Sequence, residues 1–214
     1  RDSASGWLSL GIGVSVADDT VEQDLVVRAR AELDGLEAAG EVQASTDPCN
    51  VGARSTWLHF EDDEQWRRLP PALRELCRGL AGLPLALEAA AARCAPVQLA
   101  APKLRVHPHV MAATYRRGAE YHCHKDSYGG NDNQRMVTVL LYLNKDWRPG
   151  DDGELRVFGT TEDDNGKPGP DMERYADIAP RCGRLVMFRS REVWHAVREP
   201  REQRWALTLW VMAE

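Results

Sequence analysis

Near residue 103 the hydrophobic period of the chain changes, and that change limits the fold more than any other feature of the sequence. Upstream the period is helical. Val21, Leu25, Val26, Ala29, Leu33 and Leu36 fall on one stripe between Val21 and about Ala39. Asp18-Asp19-Thr20 offers N-cap residues before it and Gly40 a stop after it. Asp62-Asp63-Glu64 is placed to begin a second helix. Pro70-Pro71 interrupts that helix and opens the next, Ala72 to Ala81, with Gly82 as its stop. Leu83 to Arg93 is helical by propensity, and Pro84 is tolerated at its start. These helices are expected to pack on one face of a β region. Downstream the period is two. Leu104–Val106, His109–Tyr115, Val186–Phe188, the stretch around His195 and Arg204 to Val211 read as strands. Met136–Leu143 is almost uninterruptedly apolar, as expected of a strand buried on both faces. Residues 6–16 read as a further short strand. Residues 44–54 and 127–134 read as loops, and the acidic stretch 160–174 as a solvated loop. Helices followed by about eight short strands make the chain mostly β with supporting α-helices, a sandwich or barrel.

The chemistry concentrates in Glu120-Tyr121-His122-Cys123-His124-Lys125-Asp126. In an extended strand, residues two apart point the same way, so His122, His124 and Asp126 are expected on one face and Cys123 on the other. A His-x-Asp pair supplies two ligands of the two-His-one-carboxylate set of non-haem Fe(II) oxygenases. The third must come from elsewhere, and His195, in Val193-Trp194-His195-Ala196-Val197, is the best candidate. Nine residues on, Arg204 opens the alternating run Trp205-Ala206-Leu207-Thr208-Leu209-Trp210-Val211. Spacing alone leaves His122 as a competing ligand. By parity Trp194 faces away from the metal and is expected to be a core residue, while Thr208 and Trp210 share the Arg204 face. His107 and His109 are expected to be exposed strand histidines, and Arg189 and Arg198 are candidates for substrate contacts near the mouth.

The same segments resemble the catalytic domain of the 2-oxoglutarate- and Fe(II)-dependent prolyl 4-hydroxylases, and are most similar to the hypoxia-inducible-factor prolyl hydroxylases. The resemblance is carried by Tyr115, His124-Lys125-Asp126, Leu141-Tyr142-Leu143-Asn144-Lys145-Asp146-Trp147, Gly153 to Phe158, Gly183 to Phe188, His195-Ala196-Val197 and Arg204 to Trp210. It implies a double-stranded β-helix, or jelly roll, forming one domain over residues 1–214. Residues 1–100 would provide helical support and a substrate loop, and residues 101–214 the core. It implies that His124, Asp126 and His195 bind Fe(II), with 2-oxoglutarate and O2 as co-substrates and ascorbate as an auxiliary reductant. Arg204 would anchor the distal carboxylate of 2-oxoglutarate with Tyr142, while Thr208 and Tyr115 would line the pocket. Ser55-Thr56-Trp57 resembles the segment that follows a mobile substrate-covering loop. The implied reaction is hydroxylation of a prolyl residue in a protein or peptide, giving hydroxyproline, succinate and CO2. A free amino acid or other small molecule on the same iron site is the alternative, and a metal-free jelly-roll binding module a third reading.

Composition excludes some partners. A net charge of −6 and a pI near 5.6 argue against a nucleic-acid surface. No apolar run approaches the length of a membrane span. The five cysteines are odd in number and without a Cys-x-x-Cys pair, which disfavours a zinc site or a disulfide framework and fits a reducing compartment, cytoplasmic or nuclear rather than secretory. The chain opens at Arg1, as expected of an excised or processed piece. The oligomeric state is not written in the sequence, and a monomer is compatible with it.

Overall fold

The computed structural model describes residues 8–9, 13–59, 63–94, 103–130, 134–163 and 165–213. The N-terminal part contains β1 (Leu8–Ser9), β2 (Val14–Ala17), α1 (Gln23–Ala38), β3 (Gln43–Ala44), β4 (Asn50–Val51), β5 (Arg54–His59), α2 (Asp63–Arg68), α3 (Pro71–Ala81) and α4 (Leu83–Cys94). There follow β6 (Leu104–Val106), β7 (His109–Tyr115), β8 (Glu120–His124), β9 (Arg135–Tyr142), β10 (Leu155–Glu162), β11 (Pro168–Ile178), β12 (Leu185–Arg189), β13 (His195–Val197) and β14 (Arg204–Ala213). The strands form two antiparallel sheets. The larger runs β1-β2-β12-β9-β14-β7-β5-β3, with β6 also on β14, and the smaller runs β11-β10-β13-β8-β4. This is the expected jelly roll, a mostly β fold with supporting helices.

The apolar alternation of β14 explains how one sheet serves two layers. Trp205, Leu207, Leu209 and Val211 turn outward and pack with Val26, Leu33, Leu73 and Leu76 of α1 and α3. Ala206 turns inward, as do Leu140 and Tyr142 of β9, and meets Leu155 and Val157 of the smaller sheet. The near-continuous apolar run of β9 is therefore buried on both faces. Helix α3 begins at Pro71, where the missing N–H costs nothing, and the Glu32 carboxylate of α1 accepts bonds from the free Ala72 and Leu73 amides (3.0 and 2.8 Å). That contact docks one helix end on the other helix.

Several expectations are corrected. Helix α1 starts at Gln23, and its N-cap, Glu22, makes no side-chain cap bond. The expected caps are used elsewhere. Asp18 takes both arms of Arg184 (2.6 and 2.7 Å), and the Thr20 hydroxyl donates to the Gly183 carbonyl (3.1 Å), which staples this segment to the turn before β12. Gly40 does end α1, with φ +80°, but Gly82 keeps φ at −78° and the chain runs on into α4. The stretch 160–174 is not a loop. Most of it lies in the β10–β11 hairpin, whose tip is organised by Asp163 Oδ1 accepting from the Asn165 and Lys167 amides. This part of the hairpin stands largely in solvent, so no apolar alternation marked it. The first hundred residues contribute strands as well as helices. β1, β2, β3 and β5 join the larger sheet and β4 the smaller. Residues 6–7 and 10–12 of the expected first strand, Asp62 of the second helix and residues 131–133 of the expected loop lie outside the described residues.

Candidate metal centre and active site

β13 pairs with β8 so that His195 stands directly opposite His124. This cross-strand pair brings together two histidines that are 71 positions apart in sequence. Asp126 follows two residues after His124. His124 Nε2 and His195 Nε2 lie 3.5 and 3.7 Å from Asp126 Oδ1, and one donor atom from each residue falls within 4.8 Å of the other two. Each imidazole is oriented by its other nitrogen. His124 Nδ1 lies 2.7 Å from the His122 carbonyl and His195 Nδ1 3.2 Å from the Val193 carbonyl. A carbonyl only accepts, so Nδ1 carries the proton in both rings and each Nε2 lone pair faces the centre. The carboxylate is divided in the same way. Asp126 Oδ2 accepts from the Thr138 hydroxyl (2.5 Å) and the Trp210 indole N–H (3.2 Å), leaving Oδ1 toward the imidazoles.

Burial opposes ionisation of Asp126, but the two imidazoles beside it and the bond it accepts from the Thr138 hydroxyl outweigh it and hold the carboxyl well below its ordinary range. Burial pushes His195 down to about 4, so it is a neutral imidazole at physiological pH. Two imidazoles whose Nε2 atoms face one carboxylate oxygen fit a divalent transition metal with open positions on the far side. Tyr121 stacks on His124 (ring centroids 3.8 Å apart, 23° between planes), and Phe188 packs at 4.7 Å from His195.

His122 does not share the face of His124 and Asp126 that strand alternation predicts. Val197 pairs with Tyr121 while His195 pairs with His124, so β8 carries one residue more than β13 across this step. This β-bulge turns Tyr121 and His124 both inward and puts His122 on the outer face, where it contacts Glu120 at 3.2 Å. His122 is thereby removed as a competitor. Cys123 also lies on the outer side, and burial pushes its thiol up to about 11.

The centre opens into a cavity of about 480 Å³ between the sheets. Arg204 lines it, 3% exposed, opposite Tyr115 in the β14–β7 register. Its guanidinium carbon lies 5.2 Å from the Tyr115 ring centroid and 5.0 Å from that of Tyr142. Among the described residues no carboxylate pairs with Arg204, and neither its Nε nor the Tyr142 hydroxyl has a hydrogen-bond partner. Burial raises Tyr142, against the pull of the Arg204 charge, so its hydroxyl stays a donor. Burial likewise pushes Tyr115 up to about 12. A buried, unpaired cation beside an unpaired hydroxyl fits a ligand carboxylate, because a desolvated charge needs a partner. Tyr115 and Thr208 line the same cavity, and Tyr142 is fully buried beside Arg204.

Two structural devices hold Arg204. The Asn144 side chain accepts from the Trp205 amide (2.7 Å) and donates to the Trp205 carbonyl (3.1 Å), which clamps the start of β14. Gly153, at φ +78°, lies so close to Pro200 and Arg204 that a Cβ would stand 2.8 Å from Pro200 Cβ and 3.3 Å from Arg204 Cδ. Sequence reasoning missed the supporting roles of Thr138 and Trp210, for which the only signal was their inward parity. Trp194 is not a core residue. It is half-buried, with the Lys125 ammonium 4.9 Å above its ring. Trp57 stands 42% exposed at the cavity lip, 5.9 Å from Trp210, with His107 and His109 half-buried beside it. Arg189 pairs with Glu192, and Arg198 with Glu154 and Asp177; neither lines the cavity.

Comparison with known proteins agrees with this geometry. The sequence pattern of the 2OG-Fe(II) oxygenase superfamily matches residues 110–212. The chain is similar to prolyl 3-hydroxylase OGFOD1 of Xenopus laevis, 37% identical over 78 residues, which are 36% of this chain and 14% of that protein. It is similar to Egl nine homolog 1 of Homo sapiens, 34% identical over 116 residues, or 53% of this chain and 24% of that protein. The chain thus spans a quarter or less of the length of these curated relatives. Among solved structures, a Pseudomonas putida prolyl-4-hydroxylase superposes with a TM-score of 0.70 at 28% identity, covering 94% of this chain and 93% of that one. A Trichoplax adhaerens prolyl hydroxylase in complex with a hypoxia inducible factor peptide fragment shares the fold (TM-score 0.69, 22% identity, 94% and 84% covered). Residues 110–212, which contain the His124–Asp126–His195 cluster and Arg204, are thus the part of the chain that matches the 2OG-Fe(II) oxygenase superfamily.

Proposed function

We propose that this chain is an Fe(II)- and 2-oxoglutarate-dependent dioxygenase that hydroxylates a prolyl residue of a polypeptide. The observation that carries the reading is the buried, unpaired Arg204 in the same cavity as a complete His-Asp-His set. Iron and 2-oxoglutarate, when bound, supply the O2 activation and oxidative decarboxylation that insert one oxygen into a C–H bond and release succinate and CO2. The protein's own part is positioning. His124 and His195 present their Nε2 atoms to the metal position, locked by their Nδ1–H bonds to backbone carbonyls. Thr138 and Trp210 hold Asp126 so that one oxygen faces the metal position. Arg204, with the Tyr142 hydroxyl as a further donor, takes the distal carboxylate of 2-oxoglutarate, and Tyr115 and Thr208 complete the pocket wall. Leu140, Leu155, Ala206 and Val197 line the remainder and exclude water from the reacting groups.

The polypeptide substrate is supported by the shape of the mouth. Residues 43–47 and 55–57 form one wall of the cavity, and Trp57, 42% exposed and packed beside the buried Trp210, extends it as an aromatic lip. An X-Pro segment is stiff and extended, so it loses little entropy on lying along such a wall. The test is incubation with Fe(II), ascorbate and 2-oxoglutarate, with proline-containing peptides and free L-proline side by side. Succinate release and a mass gain of one oxygen on a peptide are expected. Turnover of free proline with none on any peptide would move the protein to the small-molecule reading.

A further inference from the structure

Tyr121 has two contacts that join different parts of the site. Its ring lies flat on the ligand-position imidazole of His124, and its hydroxyl donates to Asp47 Oδ2 at 2.6 Å. Asp47 belongs to the segment between β3 and β4, which is folded on itself. The Asp47 amide donates to the Ser45 hydroxyl (3.2 Å), the Cys49 amide to Asp47 Oδ1 (2.8 Å) and the Asn50 amide to the Asp47 carbonyl (3.0 Å). Asp47 therefore spends one carboxylate oxygen on shaping this turn and the other on Tyr121. Ser45, Thr46 and Asp47 line the cavity together with Trp57 and Arg135. Among the described residues, Asp47–Tyr121 is the one side-chain hydrogen bond that ties residues 45–49 to the smaller sheet. The two-residue strand β4 is the remaining attachment, through Asn50–Tyr121, Val51–Glu120 and the His122 amide to the Cys49 carbonyl. So short a ladder is weak by itself.

We propose that the Asp47–Tyr121 hydrogen bond is a latch that holds residues 45–49 as a wall over the metal site and thereby sets the affinity for the polypeptide substrate. The statement about affinity rests on the function proposed above. Both residues are positioning residues. A substrate chain running from the lip into the cavity passes this wall, so a loosened wall weakens its binding. The wall touches no group that the reaction consumes, so the chemical step is spared. The bond joins a hydroxyl to a carboxylate, the stronger class of hydrogen bond, but it is exposed to solvent, which weakens it. A several-fold effect, about 5- to 10-fold, is therefore expected.

Tyr121→Phe is the decisive variant, because it keeps the ring over His124 and removes only the hydroxyl. Amide hydrogen exchange of residues 45–51 should rise at least about ten-fold, while β9 and β14 stay unchanged. The KM for a turned-over peptide should rise about 5- to 10-fold with kcat within about twofold, and Mn(II) affinity should not change. Asp47→Ala, which also removes the bond from the Cys49 amide, should lose at least as much, and the double variant should be no worse than Asp47→Ala alone, because the Tyr121–Asp47 bond is already gone in it. Unchanged exchange in 45–51, an additive double variant, or a faster-exchanging wall with unchanged peptide KM would each overturn the latch. A wild-type protein that turns over no proline peptide defeats the functional reading instead, and the exchange measurement, which needs no substrate, still decides the latch.

Discussion

Replacing Arg204 by methionine should separate fold stability from co-substrate binding. Arg204 is 3% exposed and has no carboxylate partner among the described residues. In the ligand-free protein it is a buried charge held by two tyrosine faces at 5.2 and 5.0 Å. Those contacts stabilise by roughly 0.5–2 kcal/mol each, while desolvation of an unpaired charge opposes folding by several kcal/mol. Methionine is similar in length and apolar, so the ligand-free variant should unfold in urea at the same concentration as the wild type or higher. With 2-oxoglutarate the balance reverses. Loss of one partner of a buried charge pair costs roughly 2–5 kcal/mol, so the affinity should fall about 30-fold or more. The assay is urea unfolding with Mn(II) as a redox-inert metal, with and without 2-oxoglutarate. At a ligand concentration one hundred times its dissociation constant the wild type gains about 2.7 kcal/mol, and a variant binding one hundred-fold more weakly retains only about 0.4 kcal/mol. A variant whose ligand-free stability collapses, or whose 2-oxoglutarate shift matches the wild type, would refute the reasoning and place the anchor elsewhere.

Three further outcomes follow from the same geometry. His124→Ala, Asp126→Ala and His195→Ala should each abolish metal-dependent turnover, whereas His122→Ala, on the outer side of the bulge, should keep most of it; metal titration of the four variants checks this, and full binding by the His195 variant would break the assignment. Thr138→Val removes the hydroxyl that holds Asp126 Oδ2 without changing side-chain volume much, and should weaken metal affinity about 10- to 100-fold; an unchanged Mn(II) isotherm would show that Trp210 alone suffices. Glu37 joins Arg54, Arg116 and Gln203, and although burial opposes its ionisation, the hydrogen bonds from Arg116 and Gln203 and the nearby arginine charges hold its carboxyl below the usual 4.5. A depressed folded value contributes stability that is complete above the unfolded value and lost as the pH falls through the folded one. Glu37→Gln should therefore narrow the difference in urea midpoint between pH 6 and about pH 3, and an unchanged difference would mean the cluster is not coupled to folding.

How much of this was legible without the fold depends on the range over which each signal acts. Binary pattern acts over a few residues, so the sequence by itself determined the helical first part, the strand-rich second part and the inward face of β14 that carries Arg204, Thr208 and Trp210. His124 and Asp126 were legible together because two-residue spacing is a local property, and His195 and Arg204 because their order along the chain matched a known pattern. The choice between His122 and His124 could not come from the residues alone. It turns on one extra residue in β8 relative to β13, and a bulge exists only in the pairing of two strands. The division of the Asp126 oxygens among Thr138, Trp210 and the imidazoles is tertiary for the same reason, since it joins residues 12 and 84 positions apart. The β10–β11 hairpin escaped the pattern because strands in solvent need no apolar face. The tie from Asp47 to Tyr121 spans 74 positions and belongs to the folded molecule alone, because closing such a loop requires the sheets already in place.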